Sequence, residues 1–125
     1  MKVLYWNCKG LGSKGKEETM NYLIRLAQPD IFLIQETKMG KGTFLQASAN
    51  FWNKGGRTIV ISRGSSKGIG TLWDGHKYDF IETKQIQHWI LTTLLQKDSN
   101  TQVRLFNIYA LATYAKNKIL LEPNS

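Results

Sequence analysis

The chain has 125 residues, 42% hydrophobic and 21% charged, a globular composition that excludes a wholly disordered protein and leaves room for one domain or part of one. No apolar run reaches the 18 or so residues of a membrane helix, the opening Met1-Lys2-Val3-Leu4-Tyr5-Trp6-Asn7 turns polar too early for a signal peptide, and the lone cysteine, Cys8, cannot make an internal disulfide, so an intracellular protein with no membrane and no disulfide partner is expected. Seventeen Lys and Arg against nine Asp and Glu give +8, a balance that favours a polyanionic partner such as nucleic acid, and residues 1–63 hold most of it with ten basic and four acidic side chains.

The first element is a short aromatic strand, Val3–Trp6, followed by a basic glycine loop, Lys9–Gly15. A helix is predicted from about Lys16 to Ala27. Met20, Leu23, Ile24 and Ala27 repeat at i, i+3, i+4 and i+7, and Glu17 and Glu18 complement the dipole of the first turn. Pro29 ends this helix by disfavouring helical backbone at Gln28. Ile31-Phe32-Leu33-Ile34 is apolar at every position, the pattern of a central strand buried on both faces. Residues 3–36 therefore read as a right-handed strand–helix–strand crossover.

From Gly40 onward the pattern reads as strands and turns. The strands are Thr58–Ser62, Gly70–Trp73, Trp89–Leu95 and Val103–Tyr109, separated by glycine-rich or polar turns that include Asp74-Gly75 and Lys97-Asp98-Ser99-Asn100. Ala112–Leu121 reads as a weak helix before Pro123. The whole predicts an α/β layered sandwich.

Three patterns carry candidate chemistry. Gly10, Gly12 and Gly15 sit between a strand and a helix, with Glu36 21 residues beyond Gly15, in outline a dinucleotide fingerprint. Glu17 and Glu18, however, stand where a pyrophosphate needs a helix N-terminus free of negative charge. The same loop is nearly a P-loop, Gly10 to Gly15-Lys16, but Glu17 replaces the hydroxyl residue that would hold Mg²⁺. Asn7 and Glu36 form the third pattern. Each follows a buried strand, and asparagine is a poor strand former that calls for a reason. If the strands are neighbours, an amide and a carboxylate meet at one sheet edge, oxygen ligands of the kind Mg²⁺ uses together with water and a substrate phosphate.

Lys2–Gly12 resembles the opening of the endonuclease/exonuclease/phosphatase superfamily, and most closely the endonuclease domains of plant LINE-type (non-LTR) retrotransposons, relatives of the apurinic endonucleases. Pro29–Lys38 resembles the superfamily's second motif. Gly68–Trp73, Gln87–Ile90 and Asn107–Ala110 are similar to later segments. The resemblance implies a partial four-layered α/β sandwich in a single incomplete domain, residues 1–125, and a Mg²⁺- or Mn²⁺-dependent phosphodiesterase acting on DNA. Within it, Asn7 would orient phosphate or metal, Glu36 would be the principal metal ligand, and Tyr109 would contact the scissile phosphate. Leu111 stands where the family has a proline. The family also uses an Asp-x-Asn motif, a later Asp and a Ser-Asp-His, which the chain is read as lacking, so the resemblance stops at the amino-terminal half. His76 follows a turn and His88 opens a strand, and neither has the orienting carboxylate of a general base.

On this reading the chain is weakly active or inactive alone, and its first sheet lacks a packing partner. The alternatives are a non-catalytic basic nucleic-acid-binding remnant and a nucleotide-binding α/β domain using Gly10, Gly12 and Gly15. Cys8 is read as a small side chain beside Asn7 with no catalytic duty.

Overall fold

The computed structural model describes residues 1–61, 68–86, 89–108 and 120–123. Its elements run β1 (Val3–Asn7), α1 (Lys16–Ala27), β2 (Ile31–Gln35), α2 (Lys41–Phe51), β3 (Gly55–Ile61), β4 (Gly68–Asp74), β5 (Tyr78–Ile86), β6 (Trp89–Gln96), β7 (Thr101–Ile108) and β8 (Leu120–Pro123). The strands form two four-stranded sheets, ordered β1-β2-β4-β3 and β5-β6-β7-β8. The crossover predicted for residues 3–36 is present, with β1 and β2 paired in parallel from Val3 opposite Ile31 to Asn7 opposite Gln35. The other pairs among the described residues are antiparallel.

Side-chain alternation assigns the layers. On β2, Phe32 and Ile34 join Met20 of α1 and Phe44 and Phe51 of α2 in one apolar cluster, which Leu4 and Trp6 of β1 flank. Ile31 and Leu33 face the other way, into a second cluster with Tyr78, Leu94, Val103 and Leu105 of the second sheet. The order is therefore helices, first sheet, second sheet, and β2 is buried at all five positions because it is covered on both faces. The first sheet does not lack a packing partner, contrary to the sequence expectation. The strands from Tyr78 onward supply it, and Phe80 adds a stacked ring on Trp73 at 5.4 Å.

α1 has the predicted bounds. Gly15 caps its start in left-handed backbone (φ 85°), Glu17 and Glu18 lie in its first turn, and left-handed Gln28 returns its N–H to Ile24 O at the end. α2 corrects the reading of strands and turns beyond Gly40. Its buried residues Phe44, Ser48 and Phe51 keep helical spacing, and the helix docks because β4 has no side chain at Gly70: a β-carbon there would lie 2.5 Å from Phe44 Cζ. β5 is a second addition. It is an edge strand with Glu82 and Lys84 exposed and a register shift between Phe80 and Glu82, features that discourage pairing with another chain. The predicted helix 112–121 falls mostly outside the described residues, and Leu120 and Leu121 belong to β8, paired with Phe106 and Leu105.

Candidate active site

β1 and β2 end side by side, and their following loops are stitched together. Cys8 N donates to Gln35 O (3.1 Å), Gly10 N to Glu36 O (2.7 Å) and Leu11 N to Thr37 O (2.9 Å), while Thr37 N reaches Gly68 O on β4 (3.0 Å). At this edge Asn7 Nδ2 donates to Glu36 Oε2 at 2.6 Å. The Asn7 amide is held at its other end as well, because Lys9 N donates to Asn7 Oδ1 at 3.2 Å. A backbone donor on one side and a carboxylate acceptor on the other allow only one orientation of that amide. The structure thus brings Asn7 and Glu36 together.

Backbone geometry makes the meeting possible. Continued alternation would send Glu36 to the helix-covered face beside Ile34 and Phe32. Instead Glu36 has φ 53°, and the left-handed residue ends the alternation so that the carboxylate reaches Asn7. Lys9 (φ 52°) and Lys38 (φ 54°) share this conformation, which costs a residue with a β-carbon about 1–2 kcal/mol. Three such residues in two adjoining loops are the kind of stored strain that clusters at functional sites. Gly10 (φ 102°) allows the close approach of the loops, and the Lys38 stem runs over it, with Cδ 3.4 Å from where a β-carbon would be. Lys9 and Lys38, in the same two loops as Asn7 and Glu36, are exposed.

The neighbouring titratable groups do not compete for chemistry. Cys8 is fully buried with Sγ donating to Gln35 O (3.3 Å), and burial pushes its thiol up, away from the thiolate a nucleophile requires. Burial, helped by the Glu36 charge, pushes the Tyr5 phenol up to about 12. His76 sits in the β4–β5 turn with its side chain 92% exposed. Its backbone N–H donates to Asp74 Oδ1 and its Nδ1 lies 3.4 Å from the same oxygen, so this histidine does have a carboxylate neighbour, contrary to the sequence expectation, but it lines the hollow of Asp30 and Asp98 and not the Asn7–Glu36 edge. His88 and Tyr109 lie outside the described residues, Tyr109 two residues beyond Asn107 in the sequence.

Two further assignments come from position. The chain does spell Asp-x-Asn once, as Asp98-Ser99-Asn100, which corrects the expectation that the motif is absent. The triplet is the turn between β6 and β7, however, and Asp98 lines a hollow of about 490 Å³ with Met1, Asp30 and Lys77, at the opposite end of the sheets from Glu36. The loop of Gly12 and Gly15 borders a depression of about 380 Å³ that Glu17 and Glu18 also line, so two carboxylates stand where a nucleotide phosphate would lie. A residue that sequence reasoning missed is Asn107, whose Oδ1 accepts from buried Gln35 Nε2 at 2.6 Å. The signal was available: asparagine within a strand is as anomalous at 107 as at 7.

Among the described residues no group of three or more His, Cys, Asp and Glu could hold a metal by itself. One carboxylate with an orienting amide fits a more open arrangement, in which water and substrate phosphate complete the shell of a Mg²⁺ ion.

No family model matches the sequence, and no curated protein matches it. Solved structures do match. The fold is similar to that of an AP endonuclease. The crystal structure of the AP endonuclease LMAP from Leishmania major superposes with a TM-score of 0.58 at 19% identity, over 86% of this chain and 39% of that one. At that identity the likeness is one of fold, and this chain spans about two fifths of the neighbour's length. No helix among the described residues is long and apolar enough to cross a membrane. Cys8 is free and buried.

Proposed function

We propose that the chain is a Mg²⁺-dependent phosphodiesterase or DNA endonuclease-like domain that corresponds to the amino-terminal part of such an enzyme. The observation that carries this reading is the 2.6 Å Asn7–Glu36 hydrogen bond at the common end of two parallel strands, beside left-handed backbone. The nuclease-like fold supports it, as do the +8 charge and exposed Lys9 and Lys38. The finer assignment, to the endonuclease of a LINE-type retroelement, rests on the resemblance of residues 2–12 and 29–38.

In this reading Glu36 is the carboxylate that would hold the ion. Asn7 acts as an orienting group, since its own oxygen accepts from Lys9 N and its nitrogen donates to the carboxylate. A bound Mg²⁺ supplies neutralisation of the charge that develops on a phosphate under attack. Lys9 and Lys38 attract the polyanionic backbone. Tyr109 is proposed as a phosphate contact. Among the described residues no histidine paired with a carboxylate faces the site, and none of them offers a base ready to activate water. The chain alone is therefore proposed to be weakly active or inactive, because a missing base costs on the order of 10²–10⁴-fold in rate.

The test is DNA binding measured by anisotropy against salt, with and without Mg²⁺, for the wild type and Glu36→Ala, together with plasmid nicking. The reading predicts binding that Mg²⁺ strengthens through Glu36, with little nicking. A non-catalytic basic remnant, which the charge alone would support, predicts binding that falls with salt and is indifferent to Glu36→Ala. Robust Mg²⁺-dependent nicking that Glu36→Ala abolishes would refute the inactivity.

A further inference from the structure

Beneath the Asn7–Glu36 pair, one buried side-chain hydrogen bond ties the two sheets together. Gln35, the last residue of β2, is 1% exposed and donates Nε2 to Asn107 Oδ1 on β7, itself 2% exposed, at 2.6 Å. The preceding positions on the same faces, Leu33 and Leu105, belong to the apolar core between the sheets. Two amides thus stand at the edge of an interface that apolar and aromatic side chains otherwise fill. Burying amides is unfavourable unless they are paired, and a paired amide fixes direction in a way that a leucine contact does not.

Position 35 is held from two sides. Its carbonyl accepts from Cys8 N and Cys8 Sγ at the end of β1, and its side chain is bonded to the second sheet. The next residue is Glu36, with φ 53°. Extended backbone is the preferred state of a residue with a β-carbon, so a left-handed residue directly after a strand persists only if its surroundings over-determine it.

We infer that Gln35 and Asn107 are positioning residues: their amide–amide bond transmits the placement of the second sheet to the backbone at Glu36, holds the left-handed turn there, and so aims the carboxylate at Asn7. This rests on the reading of Glu36 as the working carboxylate. It makes the second sheet part of the site's architecture, although the described catalytic candidates, Asn7 and Glu36, both lie on the first.

The test uses the whole chain with Asn107→Leu, Gln35→Met and the double variant. Three quantities are read: urea stability, Mn²⁺ affinity, and hydrogen exchange at the Gly10 and Leu11 amides, whose acceptors are Glu36 O and Thr37 O. Each single variant loses stability, because it breaks the bond between the two amides while one of them stays buried, and the double variant, which removes both amides, regains it. All three raise exchange at Gly10 and Leu11 at least tenfold relative to the centre of β2, and weaken Mn²⁺ binding about tenfold, the usual scale for groups that orient a metal ligand. The swap Gln35→Asn with Asn107→Gln keeps an amide on each side and restores both. The inference is overturned by a double variant that retains wild-type Gly10 protection and Mn²⁺ affinity, by a rise in exchange no larger than that in the centre of β2, or by a swap that restores neither. A wild-type chain that binds no Mn²⁺ removes the metal reading of Glu36. The Gly10 exchange then decides separately whether the link holds the turn.

Discussion

Replacing Asn7 by aspartate is the substitution that most sharply interrogates the site. Asn7 Nδ2 now donates to Glu36 Oε2 at 2.6 Å in a partly buried position. Asn7→Asp removes that donor and sets two carboxylates in contact. Loss of a hydrogen bond to a charged group is worth about 1.5–3 kcal/mol. Repulsion between two unit charges about 4 Å apart adds between about 1 kcal/mol in water and about 4 kcal/mol at a protein surface. Proton uptake limits the sum, because one carboxyl of the pair can take a proton instead of bearing the full repulsion. The expected destabilisation at pH 7 is therefore about 2–4 kcal/mol, on the order of 10 °C in Tm for a chain of this size. At acid pH the pair can share a proton, and most of the loss is recovered. Millimolar Mn²⁺ also recovers it, because the two carboxylates then share a cation. The assay is thermal unfolding followed by circular dichroism at pH 4.5 and pH 7, with and without Mn²⁺. A variant as stable as wild type at pH 7, or one that Mn²⁺ does not rescue, refutes the reasoning.

Three further outcomes follow from particular contacts. Gly70→Ala forces a β-carbon against the Phe44 ring and should cost about 1–3 kcal/mol in urea unfolding, with Phe44→Leu in the same chain relieving part of it. The Tyr5 hydroxyl is buried without a hydrogen-bond partner among the described residues, so Tyr5→Phe should leave stability unchanged or raise it by up to about 1 kcal/mol, and a loss of more than that amount would show that the hydroxyl is bonded. Burial opposes ionisation of Asp30, but the hydrogen bond from Lys77, the Lys2 N–H and the Lys77 charge outweigh it and hold the carboxyl below its ordinary value of 3.8. A lowered carboxyl pKa contributes stability above the unfolded value that is lost as pH falls through the folded one. Urea midpoints from pH 7 to pH 2 should therefore show Asp30→Asn less stable than wild type at pH 7, with the gap closing below about pH 3.8; a gap that does not change with pH contradicts this.

Much of the first half was legible because its signals are local. The stripe Met20–Ala27, Pro29 after the helix, and an all-apolar β2 each follow from spacing or from one residue's stereochemistry; α1 and β2 stand where they were read, although of the stripe only Met20 is buried and Leu23, Ile24 and Ala27 are half-buried. The pairing of Asn7 with Glu36 needed only the added premise that β1 and β2 are neighbours. α2 was not legible. Its inward face is interrupted by Ser48, it contains Gly42, and no side chain caps it, so it is helical because Phe44 and Phe51 find a place on β4 and its neighbours. β5 hid for a related reason: its register shift breaks the alternation, and most of its residues face water. The Gln35–Asn107 bond spans 72 residues, and only the packing of one sheet on the other brings its ends together. The left-handed backbone at Glu36 is likewise set by its surroundings, not by glutamate, which ordinarily avoids it.

The central claim is that Glu36, oriented by Asn7, holds a divalent cation where a phosphodiester can reach it. Paramagnetic broadening of amide signals on titration with Mn²⁺ tests it most directly. The account predicts saturable broadening confined to the amides of Asn7 to Gly10 and Glu36 to Lys38, abolished by Glu36→Ala. Broadening centred on Asp30 and Asp98 at the far end of the sheets, or broadening that survives Glu36→Ala, would contradict it.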